Sequence, residues 1–281
     1  MKGLDAMEVA LCDLLVDNDP FRLDSEYNGK NARILTNTVR RFGAEQFGDS
    51  HPTIIHPTEI VRQYVEDGGM WFFRAQNLRP LRVDETDKVF ISEADAAKLA
   101  KNRLKERDVV MTRTGANRGD CALFASPDPA IASSHTFIIR SQHWSPAFLV
   151  AFFNSMYGKA QVDRGVYGAA QPEIAPYFLR NIWIPKVSDH FQQEIALALE
   201  NAENNRRKSL YSVAEAEQSL LCALDLEDWR PPEPLTYTRR ASDVFAAGRM
   251  DADYFAPRVD GLLKRLSRGG QTVGDVAPAR R

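Results

Sequence analysis

The sequence predicts an α/β (α+β) fold, a mixed-sheet domain followed by a long helix of coiled-coil type. Three observations carry this. Between Trp71 and Pro185, short runs rich in Val, Ile, Phe and Thr alternate with helical stretches. From Phe191 to Cys222 no proline or glycine interrupts 32 residues. The run Arg22-Leu23-Asp24-Ser25-Glu26-Tyr27 returns as Arg249-Met250-Asp251-Ala252-Asp253-Tyr254, 227 positions later. Self-similarity reports architecture, here one whole unit followed by the opening of another.

The elements follow in chain order. Leu4, Met7, Leu11, Leu14 and Leu15 place apolar side chains at intervals of three and four, with Asp5 as N-cap, and predict a short helix. Asp19-Pro20 ends it, since the residue before proline is pushed out of helical backbone. Arg22 to Phe42 reads as a second helix interrupted by Gly29, and Gly43 to Pro57 as a loop. Strands are expected at Trp71–Arg74, Lys88–Ile91, Asp108–Thr112, Asp120–Phe124, Thr136–Arg140 and Asn181–Ile184. Ser92 to Asn102 opens with the capping-box-like Ser92-Glu93-Ala94-Asp95, and Ser145 to Ser155 has proline at its first helical position.

In the long helix, Ile195, Leu199, Ala202, Arg206, Ser209, Val213, Ala216 and Leu220 keep a strict 4-3 spacing. Ile195, Leu199, Ala202, Val213, Ala216 and Leu220 are the expected pairing residues. The boundaries read as an N-terminal helical segment (1–50), a main domain (51–186), the long helix (187–226), a Pro-rich stiff linker (227–245) and the start of an incomplete repeat (246–281).

Composition narrows the class. The chain has 281 residues and a formal net charge of −2, unlike a histone-like basic protein. From Arg74 to Arg118, eleven Lys and Arg stand against seven Asp and Glu, a local net of +4. No run approaches the roughly 20 apolar residues of a membrane span, and no secretory signal opens the chain, so a cytoplasmic location is expected. Cys12, Cys121 and Cys222 stand far apart, and His51 and His56 lie in a Pro-rich stretch, so no metal and no disulfide framework are expected. GxSxG, P-loop, HExxH and strand-associated GxGxxG patterns are missing, as is an Asn-Pro-Pro-Tyr or Asp-Pro-Pro-Tyr tetrapeptide. The chain is read as non-catalytic.

The main domain does carry polar loops after its strands. Arg74, Gln76, Asn77 and Arg79 follow an aromatic strand; Thr112, Arg113, Thr114, Asn117 and Arg118 form a basic glycine turn; Tyr167 and Gln171 flank Gly168. Arginine can bridge guanine O6 and N7, and Gln or Asn can bridge adenine N6 and N7. Hydroxyls and backbone amides suit phosphate oxygens. Arg74, Gln76, Arg79, Arg113, Asn117, Arg118 and Gln171 are therefore the candidates for base contact, and Asn77 is expected to contact DNA with them. Thr112, Thr114, Ser133, Ser134, His135, Lys159 and Tyr167 are candidates for phosphate contact or loop shaping.

Taken in order, these blocks resemble a family, the specificity subunit of type I restriction-modification systems. The resemblance runs through Trp71 to Leu78, Leu104 to Gly115, Asn117 to Asp120, Ala132 to Arg140, Phe148 to Ser155, Gly158 to Gln161, Gly168 to Gln171, Ile182 to Pro185 and Phe191 to Ile195, about 150 residues. It implies that 51–186 is a target-recognition domain reading double-stranded DNA. It also implies two partners, a methyltransferase subunit using S-adenosylmethionine and a restriction subunit using ATP and Mg. No cofactor is expected on this chain itself. In that family two recognition domains each precede a long helix and the helices pack antiparallel. Here one recognition domain, one helix and some 35 residues of a second unit are present, so the chain is read as truncated, and a self-dimer through the long helix is physically reasonable. Two other classes fit the residues: a helical scaffold that binds protein alone, and the recognition part of a single-chain restriction enzyme.

Overall fold

Val109, Val110 and Met111 are apolar without alternation, the pattern of a strand covered on both faces. The structure, a computed structural model of the chain that describes residues 8–16, 22–168, 172–267 and 270, shows what covers them. Strand Val109–Thr112 is central in an antiparallel sheet ordered Thr53–Ile55, Thr136–Arg140, Val109–Thr112, Cys121–Leu123. Val109, Met111, Phe137 and Ile139 point to one core, which includes Leu149, Phe153 and Val162 from two helices. Val110 and Ile138 point to the other, where they meet Trp71, Phe73 and Phe124.

A second sheet supplies those aromatics. Its order is Ala130–Ala132, Met70–Phe73, Phe90–Ile91, Tyr64–Val65, with the first pair parallel and the others antiparallel. Trp71 and Phe73 face the first sheet, while Phe72 turns the other way onto Ile91, Ala96 and Leu99. Period-two geometry thus splits one aromatic run between two cores. Both sheets being one domain's layers, the domain is a mixed helix-and-sheet fold, as the strand runs predicted.

The helices are placed by burial and caps. Pro146–Asn154 buries Ala147, Phe148, Leu149, Val150, Phe152 and Phe153, apolar nearly all round as a sheltered helix must be. Ser92 caps Glu93–Lys98 by accepting from the Asp95 amide at 3.2 Å. The Asp95 carboxylate accepts from the Gln63 amide at 2.8 Å, while the Ser92 amide donates to the Gln63 carbonyl at 3.2 Å. Of the helix expected over Arg22 to Phe42, only Lys30–Arg41 is helical, residues 25–28 forming a turn before Gly29, and 43–57 is no plain loop. It contains strand Ala44–Gln46, paired antiparallel with Trp183–Pro185, and strand Thr53–Ile55. Each has only three residues, too short for periodicity to register. Helix Met156–Arg164 was likewise not read from the sequence, because Gly158 sits in its first turn. That glycine lets the helix start against the preceding one: a Cβ there would lie 2.1 Å from the Phe152 carbonyl oxygen.

The chain divides into two compact units, Met1–Glu203 and Asn204–Arg281. Helix Asp189–Ala223 runs across that division and, at 1.5 Å per residue, is about 52 Å long. At its start, Gln192 is buried and accepts from the Ser145 amide at 2.7 Å, and Leu199 packs on the first core. Along the rest of the 4-3 seam the apolar side chains are exposed. Ala202 and Ala216 are exposed, and Val213 and Leu220 keep 62% and 58% of their surface. The expected pairing residues therefore fall into two sets: Ile195 and Leu199 are half-buried, and the other four are not buried at all.

The second unit holds the repeat. Helix Ala241–Ala247 begins within the stretch expected as a linker and runs past its end, and helix Pro257–Leu266 follows the repeated segment. Arg239 donates to the Phe255 carbonyl at 2.7 Å and pairs with Asp260. Gly261 packs on Trp229 and Pro232. No helix of the described residues is long and apolar enough to cross a membrane.

Candidate nucleic-acid interface

Register brings the polar loops together. Ala132 is opposite Phe73 in the parallel pair, so loops 74–77 and 133–135 leave two adjacent strands at the same end, and the Ser133 amide donates to the Phe73 carbonyl at 2.9 Å. Thr136 is opposite Thr112, so loop 133–135 enters its next strand where loop 113–119 leaves. The Arg113 amide donates to the His135 carbonyl at 2.8 Å. A small hairpin, Val166–Tyr167 with Glu173–Ile174, joins the same edge through a bridge between Thr114 and Glu173. Lys159, from helix Met156–Arg164, reaches the Arg118 carbonyl and lies 3.6 Å from Asp120 at the base of the glycine turn.

Arg113 is the most constrained member. One terminal nitrogen pairs with Glu173 and the other donates to the Ser134 carbonyl at 3.3 Å. Tyr167 donates its hydroxyl to the other oxygen of Glu173, a bond that pushes the phenol above its ordinary range. His56 stands by; partial burial and then the Arg113 charge hold its imidazole below the usual value. Thr114 Oγ1 and His135 Nδ1 are 2.8 Å apart. Ser134 donates to Glu59, which also pairs with Arg62. Glu173, Glu59 and Arg62 are not singled out by the sequence, and His56 is considered there only as a metal ligand. Glu173 meets Arg113 across 60 residues, a juxtaposition no local pattern encodes.

The remaining candidates divide by exposure. Asn117 is exposed on the glycine turn, Arg118 is half-buried there, and Gly115 and Gly119 turn the chain with φ of 94° and 82°. Arg74 pairs with Asp87 at 3.0 Å, Gln76 donates to the same carboxylate, and Arg79 pairs with Asp84 at 3.4 Å. Asn77 is different. It is buried, accepts from the Arg74 amide at 3.0 Å and donates to the Asp84 and Asp87 carbonyls. Its amide groups staple the loop and are not presented to a ligand, which corrects the expectation of a contact from this residue. Thr112 and Ser133 are also buried, so they shape the loops rather than touch a groove. Gln171 lies outside the described residues.

Five of the eleven basic residues in 74–118, namely Arg74, Arg79, Lys88, Lys98 and Arg113, are paired with carboxylates within the fold. Lys88 contacts Glu85 at 2.7 Å and Asp128 at 2.8 Å, and Lys98 contacts Asp95 at 2.7 Å. What distinguishes the loop edge is unmet hydrogen bonding. Among the described residues, eight buried side-chain nitrogen or oxygen atoms have no partner; three are indole nitrogens, and the other five belong to Arg74, Thr112, Arg113, Arg118 and Ser133. Each such group costs roughly 1–3 kcal/mol while unsatisfied. All five are shielded from solvent, so they report tight packing at the roots of the loops rather than groups offered to a partner. Among the described residues no three His, Cys, Asp or Glu side chains gather as a metal site.

No protein-family model and no curated protein matches the chain. Solved structures do. A chain from a structure reported as the basis of complex assembly and conformational transition of the type I R-M system is 15% identical, with 68% of this chain and 48% of that one covered and a TM-score of 0.45. The type IIG restriction endonuclease BpuSI is 8% identical over 86% of this chain and 33% of its own, with a TM-score of 0.47. The HsdS subunit from Thermoanaerobacter tengcongensis is 11% identical over 86% of this chain and 51% of its own, with a TM-score of 0.42. The chain spans about half the length of two of these and a third of the other.

Proposed function

We propose that this chain is a sequence-reading DNA-recognition subunit of a type I restriction-modification system. The observation that carries the proposal is the convergence of loops 74–77, 113–119 and 133–135 with the Tyr167 hairpin at one edge of the two sheets. Short, polar, arginine-bearing loops on a rigid double sheet can enter a groove while the cores hold their spacing. The block order quoted from the sequence supports the family assignment. Under this reading the chain contributes recognition only, and a methyltransferase subunit and an ATP-dependent restriction subunit supply the chemistry. The exposed apolar positions Ala202, Val213, Ala216 and Leu220 are available to a second helix, either from such a subunit or from another copy of this chain.

The test is binding of purified full-length chain to a random duplex pool, with rounds of selection. Enrichment of a defined sequence, with affinity falling steeply as salt rises, is the expected result. Arg113→Ala is expected to cost roughly 1–3 kcal/mol on the enriched site and much less on scrambled duplex. Indifference to every duplex at low ionic strength would overturn the proposal, and Mg-dependent cutting of plasmid by the chain alone would replace it with a single-chain nuclease.

A further inference from the structure

Glu173 is held by three independent features. Its Oε2 accepts from Arg113, its Oε1 accepts from the Tyr167 hydroxyl, and its backbone bridges Thr114. The next residue adds another tie, as the Ile174 amide donates to the Arg113 carbonyl at 3.1 Å. The carboxylate is thus fixed before any ligand arrives, and it fixes the guanidinium in turn. An arginine carries five N–H groups. Here Nε is buried without a partner, one hydrogen of a terminal nitrogen goes to Glu173, and one hydrogen of the other goes to the Ser134 carbonyl. These two bonds leave one further hydrogen on each terminal nitrogen, with the Tyr167 hydroxyl also against the guanidinium, and when both turn outward they make a parallel fork that matches two neighbouring acceptors.

Two kinds of acceptor pair could take that fork. A phosphate would bring a negative charge against Glu173, and against Glu59 on the neighbouring Ser134. The major-groove edge of guanine offers O6 and N7 with no net charge. Like charges close together are unfavourable, and least screened where the groups are partly buried. Arg113 and Glu173 keep only 15% and 24% of their side-chain surface.

Resting on the DNA-recognition reading, we propose that Glu173 is the specificity-determining positioning residue of the loop edge: it presents the Arg113 fork to one guanine and turns phosphates away. Tyr167 supports it by occupying the carboxylate's second oxygen. The arrangement discriminates because the same carboxylate that orients the fork also repels the sequence-independent ligand.

The experiment is selection from a random duplex pool with the full chain as wild type, Glu173→Gln and Tyr167→Phe, together with direct affinity for unselected duplex. The amide of Glu173→Gln keeps the shape and loses the charge. Wild type is expected to enrich a sequence with an invariant G. Glu173→Gln is expected to lose base preference at that one position, to keep the others, and to bind unselected duplex several-fold more tightly. Tyr167→Phe should relax the same position by a smaller factor, and carries the test if Glu173→Gln does not fold. Unchanged preference at every position, or an equal loss at all of them in a folded variant, would overturn the role given to Glu173. Failure of wild type to enrich anything would instead sink the recognition reading beneath it.

Discussion

Two segments of this chain, Arg22–Tyr27 and Arg249–Tyr254, fold into the same clasp in different surroundings. In the first, Arg22 Nε donates to Asp24 at 2.8 Å, Asp24 accepts from the Tyr27 amide at 2.8 Å, and the guanidinium lies 5.1 Å from the Tyr27 ring centre. In the second, the corresponding values are 2.7, 3.0 and 4.6 Å. A turn follows each, and the next helix starts at the matching position, Lys30 in one and Pro257 in the other. Local chemistry alone builds this motif, since a short acidic side chain closes a turn on an amide two or three residues ahead.

The surroundings decide what the clasp is worth. Tyr27 is 3% exposed, with the Arg164 guanidinium 4.5 Å from its ring centre and Phe178 edge-on at 6.0 Å. Arg22 also donates to the Arg164 and Val166 carbonyls at 3.1 and 2.9 Å, tying the clasp to the end of helix Met156–Arg164. Tyr254 is 45% exposed, and among the described residues Arg249 bonds only Asp251. The same six-residue pattern is core in one unit and surface in the other.

The sharpest way to break this comparison is truncation of the two tyrosines. Tyr27→Ala is expected to cost about 3–5 kcal/mol, as for other buried aromatics, and to lower the denaturant midpoint of the first unit. Tyr254→Ala should cost about 1 kcal/mol or less and speed amide exchange only around Ala252–Leu266. Equal losses would mean that the second clasp is covered in solution. The glycines behind each clasp sharpen it. A Cβ on Gly165 would lie 1.8 Å from Phe178 Cδ1, so Gly165→Ala is expected to destabilise by about 1–3 kcal/mol through overpacking. Gly261 lies inside helix Pro257–Leu266, and a Cβ there meets Trp229 and Pro232 at an ordinary 3.5 Å. Gly261→Ala should therefore stabilise the second unit by about 0.5–1 kcal/mol. Thermal melts of both variants check the two signs.

Acid gives the smallest effect. Burial favours the neutral acid at Asp24, but the bonds from Arg22 and the Tyr27 amide outweigh it and hold the carboxyl below its ordinary value. At Asp251 the bond from Arg249 comes first, and burial opposes it weakly. A lowered folded pKa means that each contribution is present above the unfolded pKa of about 3.9 and is lost as pH falls through the folded value. Melting followed from pH 5 to 3 should fall less steeply in Asp24→Asn than in wild type. Asp251→Asn should leave the first unit's slope unchanged, and an equal effect there would erase the contrast.

Much of this was legible in residue order. The strands at 108–112 and 136–140, the Ser92 cap and the proline-started helix at 146 were readable because each is a local signal: an apolar run, a hydroxyl before an acidic turn, a fixed φ. Of the candidate site, the arginine loops were found because Gly and Arg after a strand mark a polar turn. Glu173 was missed because its meaning depends on Arg113, and Asn77 was misread because an amide in a loop looks the same whether it faces groove or backbone. The strands at 44–46 and 53–55 escaped for a similar reason, as three residues cannot display a period.

By itself, then, the order of residues determined the clasps, the caps, the long uninterrupted helix and the loops, all set by interactions within a few residues. Only the tertiary structure decided which clasp is buried, which apolar positions of the helix seam are left exposed, and that four loops share one edge. Those depend on strand register and on side chains more than a hundred positions apart, and free energy of burial is a property of neighbours that the chain brings together only when folded.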